Sequence, residues 1–389
     1  MKHWTILLAA LLLSACASQA PLAPPNENLF RDQLFGAAPA HVNADQIFAL
    51  SAAMRQYAKD EIRAKVHGGN VQQTLFNALY RKSQLKLDYD SAMTRNASQT
   101  FEARAGNCLS LVIMTAALAR EMDLTVQFQS VPIDENWSRS GNLYVSSGHV
   151  NLVLGKPRYD VNKSYDNQQY LTIDFLPPPD LGRQQATPLD ERTVVAMYMN
   201  NRAAETLAEN KIEEAYWWAR KAVVQDPAFL NAYNTLGVIY QHHGNGAEAA
   251  RVLRHAHQQA PDNTVFLFNL AQALRDLGQS AEAQLLTQRL AKLEPYPPFH
   301  FFNQGVQAMR DGDFAKARNL FNRELDRSPD YHEFHFWLAA ASFRLGDLHT
   351  ADKHMKLAME NSTNRSDHDL YTAKLDRIRA HEAQPQGTP

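Results

Sequence analysis

A 34-residue period in the second half of the chain constrains its fold more than any other feature. Prolines fall at Pro227, Pro261, Pro295 and Pro329, each 34 residues after the last. The same interval joins Ala215, Ala249, Ala283, Ala317 and Ala351, and also Gly244, Gly278, Gly312 and Gly346. It further joins the small residues Ala203, Gly237, Ala271, Gly305 and Ala339. Several residue classes repeating in one register are the mark of an array of supersecondary units. Each class has a physical place in a helix-turn-helix unit. Small residues let two helices cross closely, glycine turns the chain between them, and proline stops the second helix.

This pattern resembles the tetratricopeptide repeat, in five copies over residues 196–363. The first copy is the least typical, with Met199, Arg202 and Thr206 at positions that prefer larger apolar groups. The fifth lacks the closing proline and leads into residues 364–389, a capping helix and a frayed tail. The resemblance implies a concave face lined by first-helix positions. Mapped here these are Phe268, Phe302 and Phe336, with Arg275, Arg310 and Arg344 beside them. Such a groove suits an extended peptide or helix, with aromatic anchors and guanidinium groups for carboxylates. The competing reading is that the phenylalanines pack between helices, the usual fate of an aromatic stripe at helical spacing.

The N-terminus reads Met1-Lys2-His3, then an apolar run from Trp4 to Leu13 broken only by Thr5. A short positive segment followed by a brief apolar one suits a cleaved signal better than a membrane span. The run ends in Leu13-Ser14-Ala15-Cys16, which resembles the bacterial lipobox. That resemblance implies a signal peptide over residues 1–15, cleavage before Cys16 and thioether lipidation of its sulfur. Ala17 follows, with no aspartate there to suggest inner-membrane retention, so the implied place is the outer membrane, facing the periplasm. Residues 16–42 are then the lipidated cysteine and a proline-containing tether. The 39 basic and 41 acidic residues leave no basic excess for nucleic acid.

Cys108 is the only cysteine besides Cys16, so no intrachain disulfide is expected once Cys16 is acylated. It follows Gly106-Asn107 and opens an apolar helical pattern from Leu109 to Met122. At a helix start the dipole favours a thiolate, and free backbone N–H groups can stabilise an oxyanion. Alternating patterns place strands at Leu124 to Val131, ended by Pro132, then at residues 147–154 and at residues 169–175. The second carries His149 and the third Asp174, so adjacent strands would bring imidazole and carboxylate together.

Gly106-Asn107-Cys108 before an apolar helix, His149 leading Val-Asn-Leu-Val, and Ile173-Asp174-Phe175 in the next strand resemble the bacterial transglutaminase-like, papain-related superfamily. The resemblance covers residues 43–190. It implies Cys108 as nucleophile, His149 as the base that takes its proton, and Asp174 as the group that orients the imidazole. Asp160 and Asp166 are the other candidates for the acid, and Tyr89 and Asn107 for a second oxyanion donor. The expected fold is therefore an α+β transglutaminase-like, papain-like N-terminal domain followed by an all-α solenoid of tetratricopeptide repeats.

The expected chemistry is attack of a cysteine on a peptide or carboxamide carbonyl, with the repeats recruiting a protein partner or substrate. The membrane is met through the lipid anchor alone. No His-Glu-x-x-His spacing, cysteine cluster or glycine-rich phosphate loop occurs, so neither metal nor cofactor is expected. The alternative is a non-catalytic scaffold for envelope protein complexes.

Overall fold

The structure is a computed structural model that describes residues 26–66, 70–80, 85, 87–140, 143–157, 170–175 and 186–383. The signal segment, Cys16, the last six residues, Asp160 and Asp166 lie outside the described residues.

The first half starts with α1 (Ala52–Tyr57), extended by a π turn over Ala58–Ile62, and α2 (Val71–Tyr80). A short parallel pair, β1 (Asp88–Tyr89) and β2 (Ala105–Gly106), brackets α3 (Ala97–Ala103). Then come α4 (Cys108–Glu121), β3 (Leu124–Ser140), β4 (Leu143–Pro157), β5 (Leu171–Ile173) and β6 (Thr187–Leu189). The last four form an antiparallel sheet in the order β5-β4-β3-β6.

Helix α4 is apolar all round, and every residue from Leu109 to Ala119 is buried. It packs on β3 and β4 with α1 and α3 on its other flanks. A helix of this composition has no solvent face to offer, so it belongs between layers. Strand β3 does not stop at Pro132. The ladder with β4 slips between Val131 and Asn136 and then resumes. Proline cannot donate to a ladder but is tolerated where the pairing is irregular.

The second half is a run of antiparallel helical hairpins. They are α5/α6 (Glu191–Ala208, Ile212–Gln225), α7/α8 (Leu230–His242, Gly246–Gln259), α9/α10 (Thr264–Asp276, Ser280–Leu293), α11/α12 (His300–Arg310, Phe314–Leu325) and α13/α14 (His332–Arg344, Leu348–Glu360). Helix α15 (Arg365–Glu382) closes the end. Gly244, Gly278, Gly312 and Gly346 all sit at positive φ in the hairpin turns, and Asn210 takes the same conformation in the first. Asparagine is the residue that best replaces glycine there.

The periodic small residues lie at the crossings. A Cβ on Gly305 would stand 2.5 Å from Cε1 of Phe321, a rigid ring packed in the core. Gly305→Ala is therefore expected to lower stability by about 1–3 kcal/mol through overpacking, read from thermal unfolding.

The array is interrupted. One core cluster runs from Leu29 to Ala283, and the next begins only at Phe299. In α10 a single residue, Ala283, is fully buried. The cause lies in α11. Phe266, Leu270 and Ala273 of α9, and Phe334, Leu338 and Ala341 of α13, are buried. The matching residues of α11 are His300, Gln304 and Gln307, none of them buried. Polar side chains at these positions give α11 no apolar ridge to lay on α10.

Both ends of the array meet one loop of the first half. The backbone N–H of Thr94 donates to Glu205 of α5 at 2.7 Å, and Arg202 pairs with the same carboxylate at 2.7 Å. At the far end, Ser91 N–H donates to the Thr363 carbonyl at 2.9 Å. Arg202, which looks odd in the first repeat, thus pairs with the carboxylate that docks it. The stretch expected to be a tether is packed from Asn26 onward, with Leu29, Phe30, Phe35 and Val42 buried against the array.

Candidate functional site

Cys108 is the first residue of α4 and is partly exposed. Asn107 caps the helix: its Oδ1 accepts from the Ser110 backbone N–H at 2.9 Å and from the Ser110 hydroxyl at 2.8 Å. Its Nδ2 donates to Thr94 Oγ1 at 2.8 Å. Asn107 thus holds the loop and the helix start together. Asn107→Ala is expected to cost about 1 kcal/mol of stability, as lost N-caps do, in chemical unfolding.

The other proposed donor, Tyr89, is close enough to Cys108 to feel its charge. Burial raises its hydroxyl pKa above the ordinary tyrosine range, helped by the negative charges of Cys108 and Asp90. It is therefore a neutral O–H group in the neighbourhood of Cys108.

His149 stands on β4 and is 3% exposed. Strands β4 and β5 pair with Leu152 opposite Ile173, which brings Asp174 next to Asn151 and within reach of His149. The His149 Nε2 lies 2.7 Å from Asp174 Oδ1. Cys108 is close enough to act on the same imidazole electrostatically. The structure thus brings Cys108, His149 and Asp174 into one neighbourhood.

Burial alone would lower the pKa of the imidazole, but hydrogen bonds to Asp174 and Cys108, and their charges, lift it to about 9. A folded-state pKa above the unfolded 6.5 means stability that is full below 6.5 and is lost as pH rises through 9. The wild-type melting temperature is therefore expected to fall between about pH 6.5 and 9, and this component is expected to vanish in His149→Gln.

Asn151 has no assigned role in the sequence reading, yet it completes the site. It is two residues from His149, on the same strand face, and its Nδ2 approaches Asp174 Oδ2 at 3.4 Å. The signal was present in His149-Val150-Asn151, since period-two spacing in a strand puts the first and third residues together.

The groove residues divide. Phe268 is 45% exposed. Phe302 is fully buried, with ring centroids 5.8 Å from Phe321 and 5.2 Å from Phe334, so it belongs to the core and cannot anchor a partner. Phe336 stacks on Tyr371 of the closing helix at 5.2 Å. Arg344 lies over the Phe314 ring at 4.2 Å, and Arg275 donates to Gln272 and Thr287. Arg310 is exposed.

Among the described residues no cluster of three or more His, Cys, Asp or Glu is placed to hold a metal, and no helix is long and apolar enough to cross a membrane.

Known proteins match the array. Models of the tetratricopeptide repeat match residues 240–298 and 302–351, and the boundary between them falls where the core is interrupted. A TPR repeat-containing protein of Pseudomonas aeruginosa is 29% identical over 130 residues, 33% of this chain and 22% of that relative. The chain thus spans about a fifth of the relative's length. Among solved structures, a thermophilic TPR protein of Thermus thermophilus superposes with a TM-score of 0.31 at 15% identity, over 48% of this chain and 99% of that one. The Cut9–Hcn1 hetero-tetramer of the APC/C gives a TM-score of 0.32 at 20% identity, over 49% and 37%. The matched sequences and the helical hairpins agree: the C-terminal part of this chain is an all-helical array of tetratricopeptide repeats, a module of protein–protein interaction.

Proposed function

We propose that this protein joins a protein-binding repeat array to a cysteine-dependent acyl-transfer site that acts on peptide or carboxamide bonds. The observation that carries the reading is the 2.7 Å contact between His149 and Asp174, with Cys108 close enough to act on the same imidazole. In the working state the thiol proton rests on His149, and the thiolate attacks the carbonyl carbon. The positive end of α4 and the Tyr89 hydroxyl stabilise the developing oxyanion. His149 then returns the proton to the departing amine or ammonia, leaving a thioester on Cys108. Water, or a second amine, gives up a proton to His149, attacks the thioester and restores the thiol. Asp174 keeps the imidazole in one tautomer throughout, and Asn151 steadies the carboxylate's second oxygen.

The lipobox-like Leu13-Ser14-Ala15-Cys16 supports a lipid-anchored protein of the outer membrane facing the periplasm, where a periplasmic polypeptide is the natural substrate. The test is mass spectrometry of the protein after incubation with a peptide thioester or nitrile. An adduct on Cys108 that is lost in His149→Ala supports the enzyme, and no adduct on Cys108 removes it.

A second reading has its own support, because the matches to known proteins lie in the repeats. In that reading the protein is a scaffold and the Cys108 site a binding surface. A Cys108→Ala chain that sustains the cellular role in full would favour it.

A further inference from the structure

In the repeat register one set of first-helix positions lays a hairpin against the one before it. Helix α7 fills them with Ala232, Leu236 and Ile239, α9 with Phe266, Leu270 and Ala273, and α13 with Phe334, Leu338 and Ala341, all buried. The matching residues of α5 are Tyr198, Arg202 and Glu205. Helix α5 follows strand β6 rather than a hairpin, and the loop of residues 91–95 meets this face instead. Arg202 and Glu205 pair at 2.7 Å with side chains 21% and 20% exposed. A carboxylate so far withdrawn from water is costly unless an opposite charge and hydrogen bonds offset the loss. Arg202 supplies the charge, and the Thr94 backbone N–H donates to Glu205 Oε1 at 2.7 Å.

Thr94 is fully buried and joins α5 to the start of α4. Its Oγ1 accepts from Asn201 Nδ2 at 3.2 Å and from Asn107 Nδ2 at 2.8 Å. Asn201 and Glu205 are one helical turn apart on α5 and share a face, so one holds the Thr94 hydroxyl and the other its backbone N–H. Asn107 is the N-cap of α4, and the next residue is Cys108. The array is therefore linked to the neighbour of the sulfur through Thr94 alone. The following loop residue fastens the same point again. Arg95 N–H donates to Ser110 Oγ at 2.9 Å, and the Ser110 hydroxyl donates to Asn107 Oδ1 at 2.8 Å. Little slack remains there, since a Cβ on Gly106 would stand 2.7 Å from the Ser110 Cβ.

Resting on the proposed reading of Cys108 as a nucleophile, we infer that α5 is part of the cysteine site: Asn201 and Glu205 are positioning residues that fix Thr94, and through it Asn107 and the first turn of α4. The repeats then do more than recruit a partner. A cap orients the first turn of a helix only as firmly as the cap itself is held. Thr94 holds the Asn107 amide from the side opposite the helix, and Asn201 and Glu205 keep Thr94 in place. His149 is carried by β4, a different element. Any play in the first turn of α4 therefore changes the gap between sulfur and imidazole. A reacting group misplaced by about an ångström loses up to about a hundredfold in rate.

The test compares the full chain with Thr94→Val, Thr94→Ser and Asn201→Ala, and with Gly305→Ala as a variant destabilised in the fourth hairpin. The first readout is the rate at which a peptide nitrile forms an adduct on Cys108, followed by mass spectrometry of that peptide. Thr94→Val keeps the shape and loses the hydroxyl, and is expected to slow the adduct by about tenfold to a hundredfold. Asn201→Ala is expected to slow it in the same direction, while Thr94→Ser and Gly305→Ala hold the wild-type rate. The second readout is hydrogen exchange at the Ser110 and Leu111 amides, which bond to Asn107. Both are expected to exchange about tenfold faster in Thr94→Val and Asn201→Ala, with α13 unchanged. Where Thr94→Val does not fold, Asn201→Ala carries the test. Wild-type adduct rates in these variants, or an equal loss in Gly305→Ala, overturn the inference and leave the enzyme reading standing. If the wild type forms no adduct, the enzyme reading falls. Exchange at Ser110 and Leu111 then decides alone whether α5 holds the start of α4, and unchanged exchange overturns it.

Discussion

Alkylation of Cys108 at pH 7 is expected to slow about tenfold in His149→Ala, and turnover of any acyl substrate is expected to fall by roughly 10³-fold or more. An ordinary thiol is a few per cent ionised at pH 7, so pairing with an imidazolium can raise its reactivity by at most about thirtyfold. The imidazole of His149 keeps its proton up to about pH 9. The part of the labelling rate that depends on His149 is therefore expected to persist up to about pH 9 and to fade above it. In the variant the rate is expected to climb with pH up to the ordinary thiol pKa of about 8.5, as for a free thiol. Turnover suffers more than labelling because His149 both takes and returns a proton, and members of a nucleophile–base unit are strongly non-additive. Iodoacetamide labelling followed by mass spectrometry over this pH range decides the matter. A rate indifferent to His149 makes Cys108 an ordinary thiol and moves the function to the repeats.

Phe302→Ala is expected to destabilise the fourth and fifth repeats by about 3–5 kcal/mol, the range for removing a buried phenylalanine. Phe302 is wholly enclosed by Phe299, Phe321 and Phe334 in a core cluster separate from the larger one. Unfolding is therefore expected to begin there, as an earlier transition in calorimetry and faster hydrogen exchange confined to α11–α13. Phe268→Ala makes the contrasting case. Its side chain is 45% exposed, so its stability is expected to move by about 0.5 kcal/mol or less. Equal melting of the two variants would contradict the division of the phenylalanines into core and surface.

That division shows what repeat periodicity hides. Phe268, Phe302 and Phe336 share a register position, and the pattern alone treats them alike. Their surroundings differ because α11 turns a polar face toward α10, which interrupts the stack and regroups the next hairpins around their own core. The cause was written in His300, Gln304 and Gln307, but only a comparison of matching positions across hairpins brings it out. The candidate site was more legible. A helix start preceded by Gly106-Asn107, and two alternating strands carrying His149 and Asp174, are local patterns, and local patterns survive in the fold. Asn151 and the packing of Leu29 to Val42 on the array were not legible, since each rests on partners distant in the sequence.

The array, its turns and close crossings, and the three residue types of the candidate site could all be read from the order of the amino acids. They follow from backbone conformation, side-chain size and periodicity, which act over a few residues. Assembly of the chain was needed to set His149 and Asp174 2.7 Å apart, to bring both ends of the array to the loop at Ser91 and Thr94, and to pack the segment before residue 43. Contacts of that kind join residues 25 to 272 positions apart. Their free energy depends on strand register and on which apolar faces are left uncovered, quantities that exist only once the elements have come together.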